Sequence, residues 1–153
     1  MIGNKIICMI INIVCVVMLL GIAIYLIVAW NNIPDQIPGH FDASGQVTRW
    51  DSKISLIIVP IIAAVLFAGI SILERFPQIW NTGVRVTEEN KFRVYKILKG
   101  LITSIKFLIV AAFAAITVIQ SLAQQLPIWF LPVFIAPILL TIVFHIIWLV
   151  RAR

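Results

Sequence analysis

Apolar residues along this chain gather into four long blocks; they do not alternate with polar ones at a period of two or 3.6. The blocks are Ile6–Trp30, Ile54–Leu73, Leu101–Leu122 and Ile128–Val150. Each has about 20 residues or more, enough to cross roughly 30 Å of hydrocarbon as a helix. Helices of soluble domains seldom run that far without a charged face. Between the first two blocks lies a polar loop, Asn31–Lys53, and between the next two a basic one, Glu74–Gly100. The last two blocks are joined by Ala123–Pro127 alone, which predicts an antiparallel helical pair. The pattern predicts an all-α integral membrane protein, a four-helix transmembrane bundle forming one domain over residues 1–153.

Composition strengthens this reading. Hydrophobic residues make up 62% of the chain and charged ones 12%, against about a quarter charged in soluble domains. Lys5 followed by an apolar run imitates a secretion signal. The run to Trp30 outlasts an h-region of about 7–15 residues, and no small-residue cleavage site closes it. Cys8 and Cys15 lie inside this first block, which points to small buried hydrophobes and not to a disulfide framework, although acylation of Cys8 is an alternative.

Charge orients the spans. Lys5, Arg75, Arg85, Lys91, Arg93, Lys96, Lys99, Arg151 and Arg153 fall on one side, Arg49 and Lys53 on the other, and Lys106 within the third span. The positive-inside bias puts both termini and the basic loop in the cytoplasm and the loop carrying His40 outside. The net charge of +6 then reflects topology and attraction to an anionic inner leaflet, and calls for no nucleic acid. Trp30, Trp50 and Trp129 fall at the expected outer interface, and Trp80 and Trp148 at the inner one, as an aromatic belt requires. Pro60 and Pro137 lie within spans two and four and are expected to bend them.

The outer loop is the richest segment. Pro34 and Pro38 push Ile33 and Ile37 towards extended geometry. Asp42–Gly45 suits a turn, because Asp42 can accept a bond from the backbone two residues on and Gly45 permits positive φ. Asp51 or Ser52 is a candidate N-cap for the second span. Phe41, Val47 and Trp50 are candidates for packing onto the bundle. These features predict an ordered loop between helices one and two. The loop also gathers candidate ligand-binding residues: Pro38, His40, Phe41, Asp42, Gly45, Trp50, Asp51 and Lys53. His40, Asp42 and Asp51 could together offer a metal site or an acid/base pair. The simpler reading is that they hold the loop's shape. No catalytic motif supports an enzyme, and no cofactor or resident metal is expected.

In the inner loop, Thr87 followed by Glu88 and Glu89 reads as a helix start. Helix can then continue past Gly100 into the third span, as a basic cytoplasmic extension. Lys91, Arg93, Lys96 and Lys99 form an ordinary juxtamembrane helix, or a docking surface for a cytoplasmic protein or anionic lipid. Three polar residues lie within spans: Asn12, Lys106 and His145. Intramembrane polar groups are candidate functional sites. Glu74 could balance Lys106; otherwise Lys106 snorkels to headgroups while Asn12 and His145 bond between helices. Ala64, Ala68, Ala111, Ala112, Ala114 and Ala115 permit close helix contact within one chain or in a homo-oligomer.

Two segments carry a family resemblance. Ile37-Pro-Gly-His-Phe-Asp-Ala-Ser-Gly45 with Trp50-Asp-Ser-Lys53, and Asn81-Thr-Gly-Val-Arg-Val-Thr-Glu-Glu-Asn90 with Tyr95, resemble a bacterial membrane family known as domain of unknown function 1648. Thr82 and Gly83 stand where that pattern leads one to expect a Tyr-Pro pair. The same domain forms the N-terminal part of SdpI-type immunity proteins, which protect a producing cell from the sporulation-delaying-protein toxin and sequester a repressor at the membrane. Those proteins have further helices beyond four. The resemblance implies a Gram-positive-type plasma membrane setting and brings in toxin immunity or envelope signalling.

Taken together, the residues suggest a non-enzymatic sensor, immunity or partner-binding component, meeting a peptide or envelope ligand outside and a protein inside. A small ion-coupled transporter using Lys106, His145 and the prolines is one alternative. A metal-dependent envelope enzyme centred on the outer loop is the other.

Overall fold

The computed structural model describes residues 2–152. Four α-helices dominate: α1 (Ile2–Ala29), α2 (Ile58–Leu73), α3 (Lys91–Ser121) and α4 (Phe130–Arg151). All four, with short extensions, are long and apolar enough to cross a membrane. Between α1 and α2 the chain forms two strands, β1 (Gln36–Phe41) and β2 (Val47–Ser52), paired antiparallel. The fold is therefore mostly helical and not wholly so. Pro34 and Pro38 favour extended backbone around them, and the tight turn after Phe41 folds the second extended run back on the first.

α3 is the hub. It packs against α1, α2 and α4, whereas the substantial contacts of α4 are with α3. The four helices expected from the pattern are arranged as a cluster of α1, α2 and α3, with α4 laid on one flank of α3. Most large apolar side chains of α4 face outward, among them Leu139, Leu140 and Phe144. That suits a helix whose other neighbour is lipid, which is as apolar as leucine.

Local chemistry explains the helix boundaries. The segment Lys53–Ile57 is a 3₁₀ turn, and α2 begins only at Ile58. Pro60 therefore sits in the first turn, where its missing N–H has no intrahelical partner to lose, and the mid-span bend expected there is not required. Ser52 precedes the turn without a side-chain cap; its carbonyl instead accepts from Ser55 Oγ at 2.7 Å. Pro137 does lie inside α4. α3 runs unbroken through Gly100 and is preceded by a reciprocal box. Asn90 N–H donates to Thr87 Oγ1 (3.3 Å) and Thr87 N–H donates to Asn90 Oδ1 (2.8 Å). Thr87 thus takes part in the helix entry through this box, but the N-cap position itself is Asn90, three residues later than expected. The helix proper starts at Lys91, leaving Glu88 and Glu89 in the preceding turn. Trp80 donates from Nε1 to the Leu73 carbonyl (2.8 Å), filling one of the acceptors left open at the end of α2.

Candidate functional site

The hairpin is shaped by its own side chains and then pinned to α3. Asp42 Oδ1 accepts three bonds: from Ser44 Oγ (2.7 Å), Ser44 N–H (2.9 Å) and Gln46 N–H (2.9 Å). Gly45 follows with φ of 85°. The Ser44 hydroxyl first, and the Gln46 amide next, hold the Asp42 carboxyl below its ordinary value of 3.8. A depressed folded-state value stabilises the turn above the unfolded pKa, and that contribution fades as pH falls through the folded one. Asp42 is therefore expected to titrate below 3.8 when followed by the Ser44 and Gln46 amide shifts in micelles. Asp42→Asn should abolish that transition; an unchanged acid transition in the variant would assign it to another group.

The next layer connects hairpin to bundle. Gln120, buried near the end of α3, donates from Nε2 to the Pro38 carbonyl at 2.8 Å. Leu126 N–H, in the α3–α4 link, donates to the Gly45 carbonyl at 2.9 Å. A Cβ at Gly45 would collide with the Leu126 carbonyl, and one at Gly39 with the Asp51 carboxylate. Gly39 lies where the strand register shifts, between Pro38 and His40. Both glycines allow close approach, and Gly45 alone of the two also turns the chain at positive φ. Tyr25 and Ser121 share a bond of 2.7 Å that ties α1 to the same end of α3. Lys53 Nζ donates to the Ile33 carbonyl (3.1 Å) and lies 5.0 Å from the Trp30 ring centre, so it fastens both stems of the loop.

The candidate loop residues accordingly divide. Pro38 and Gly45 are buried anchors, Asp42 and Lys53 hold the frame, and Phe41 and Val47 are half-buried. Trp50 is not packed on the bundle: 51% of it is exposed. His40 is exposed too. Asp51 pairs with Arg49 at 2.7 Å and does not cap α2. His40, Asp42 and Asp51 do not converge, and among the described residues no three His, Cys, Asp or Glu side chains come together as a metal site.

A second cluster lies towards the basic end, inside the helices. Lys106 is 0% exposed, so it does not snorkel. Its Nζ meets Glu74 Oε2 at 2.9 Å and Ser71 Oγ at 3.1 Å, with the Phe67 ring centre 5.2 Å away. Thr103 donates to the other carboxylate oxygen, Glu74 Oε1, at 2.9 Å, and the Cys8 sulfur lies 3.7 Å from the same hydroxyl. Each oxygen of Glu74 thus has a donor, and the charge pair is hydrogen-bonded on both sides, as a buried pair must be. Glu74 also borders a cavity at the basic end.

The other intramembrane polar residues stand apart from this pair. His145 Nδ1 lies 2.7 Å from the Thr141 carbonyl of its own helix, so its bond is not interhelical. Its Nε2 would be 3.2 Å from a Cβ at Gly100. Gly100 therefore makes room for the ring. Asn12 Oδ1 is buried without a hydrogen-bond partner among the described residues, against the expectation that it bonds between helices. Cys8 and Cys15 are buried free thiols. Of the proposed alanine contacts, those of α3 are half-buried, whereas Ala64 and Ala68 face outward and Ala63 is the buried alanine of α2.

The basic residues of α3 do not form one surface. Lys91, Lys96 and Lys99 border the cavity that Glu74 reaches, whereas Arg93 borders another, with Arg85 and Ala152. Sequence reasoning missed Gln120, Ser71 and Thr103. Gln120-Ser121 reads as an ordinary polar end to a span, and single hydroxyls are common within spans, so only their distant partners mark them.

No curated protein and no solved structure matches the chain. The second half of α1, the whole hairpin and the start of α2, residues 17–64, match the family model described as "Domain of unknown function (DUF1648)".

Proposed function

We propose that this chain is a non-enzymatic multi-pass membrane protein acting as a sensor, immunity or partner-binding component of a bacterial cell envelope. In this reading both termini are cytoplasmic and the hairpin is outside. The observation that carries it is the bond from Gln120 to the Pro38 carbonyl. It joins the hairpin to the far end of α3, a helix whose other end is the basic segment from Lys91. At 31 residues, α3 is about 46 Å long and outreaches roughly 30 Å of hydrocarbon. A ligand that shifts the hairpin would load a rigid rod whose opposite end carries Lys91, Arg93, Lys96 and Lys99. His40 and Trp50 are the exposed side chains offered to a peptide or envelope ligand, and Arg93 with Arg85 is the surface offered to a cytoplasmic protein. The suspected kinship with SdpI-type proteins makes peptide-toxin immunity the first role to examine.

A strain lacking the gene, challenged with peptide toxins and envelope stresses, should become sensitive to at least one of them. Wild-type protein should restore resistance, whereas His40→Ala/Trp50→Ala should insert normally and fail to do so. Gln120→Ala should also fail, with the hairpin surface intact. Full rescue by both variants would refute a role for the hairpin.

A small ion-coupled carrier is the second reading, because Glu74 both pairs with Lys106 and borders the cavity at the basic end. It requires proton or sodium flux in proteoliposomes that Glu74→Gln abolishes; tight vesicles with the wild-type protein would remove it.

A further inference from the structure

We infer that the cavity at the basic end is a binding site for one anionic phospholipid of the adjoining leaflet. It encloses about 860 Å³ between the start of α1, the segment following α2 and the first turns of α3. Lys5, Trp80, Tyr95, Lys96 and Lys99 are the lining residues that matter. Only about 20 residues of α3 are needed to cross the hydrocarbon, so its first ten or so stand at headgroup depth. The cavity is therefore level with lipid phosphates.

Charge selects the occupant. Glu88 lies 3.5 Å from Lys91, and Glu74 is committed to the buried Lys106. Among the described residues, Lys5, Lys96 and Lys99 have no carboxylate within the 4.0 Å of an ion pair. Three unneutralised ammonium groups around one concavity favour a phosphate. The floor is aromatic. The Trp80 and Tyr95 ring centres lie 6.0 Å apart, and the Trp80 indole is fixed by its bond to the Leu73 carbonyl. Phe92, which also lines the cavity, is 65% exposed. These apolar groups are suited to acyl chains and offer nothing to free phosphate. A headgroup with its chains attached satisfies both halves of the surface. The site stands whether or not the hairpin receives a ligand.

Native mass spectrometry of the full chain, released from micelles doped with phosphatidylglycerol or phosphatidylcholine, tests this. One phosphatidylglycerol should be retained in preference to phosphatidylcholine. Each lysine near a phosphate contributes about fivefold in affinity, so Lys5→Ala/Lys96→Ala/Lys99→Ala should weaken binding about a hundredfold. The corresponding triple arginine variant should retain it. If the alanine triple fails to fold, the exposed Lys96→Ala alone should still lose about fivefold. Equal retention of the two lipids, or unchanged binding by the alanine variants, overturns the proposal. Displacement of the lipid by inorganic phosphate does so too, by assigning the site to a soluble anion. A basic segment that serves only a protein partner would give equal retention.

Discussion

Lys106→Met is expected to destabilise the folded helices by about 3–5 kcal/mol, because it strands a carboxylate buried beside the spans. In the native fold Glu74 receives Lys106 Nζ at 2.9 Å and the Thr103 hydroxyl at 2.9 Å. Removing the ammonium leaves one carboxylate oxygen, Oε2, with no protein donor. Glu74→Ala should cost a similar amount from the other side, leaving an unpaired ammonium held by Ser71 alone. The double variant Glu74→Gln/Lys106→Met should recover most of the loss, since exchanging a whole buried pair for uncharged groups is often neutral. Unfolding by titrated denaturing detergent, followed by helical circular dichroism, measures all four proteins. Single variants as stable as the wild type would mean that the pair is solvated from the basic-end cavity, which would strengthen the carrier reading.

Gly45→Ala should release the hairpin from the bundle while leaving the spans helical. Two costs coincide at this residue. Its φ of 85° lies in the left-handed region, which costs an L-residue about 1–2 kcal/mol. The new Cβ also meets the Leu126 carbonyl, which is backbone and cannot rotate away. Relief requires the Leu126 N–H bond to Gly45 to open, forfeiting about 1 kcal/mol more. Hydrogen exchange in micelles should then show faster exchange over 36–52 with no change in α1 or α3. Gly83, also at positive φ (65°) but with only a Leu149 methyl at 4.0 Å, provides the control: Gly83→Ala should incur the backbone cost without undocking anything.

These two sites differ in how far the chain announces them. The spans are legible because a bilayer demands about 20 apolar residues in a row, a requirement met within each segment. The Asp42–Gly45 turn is equally local: acceptor, donors and the positive-φ glycine lie within five residues, Asp42 to Gln46. The box of Thr87 and Asn90 at the start of α3 is local too. Glu74 as partner of Lys106 is suggested by opposite charge near one end of two spans, yet charge alone leaves snorkelling equally open. Pro60 misleads, because a proline's effect depends on whether a helix has already started, and here the start is delayed by a 3₁₀ turn.

By itself, then, the sequence determined the four apolar spans, the local chemistry of the turn and the helix start, and the presence of unusual polar groups within the spans. Tertiary structure alone decided that α3 is the hub with α4 on its flank, and that Gln120 holds the hairpin by a carbonyl 82 positions away. It alone decided that Gly45 is an anchor as well as a turn residue, and that Lys106 is buried against Glu74. The reason is physical. Hydrophobic length and turn chemistry act within a few residues, whereas a buried donor is defined by whichever acceptor packing brings to it, and in a bilayer the chain cannot leave that choice to water.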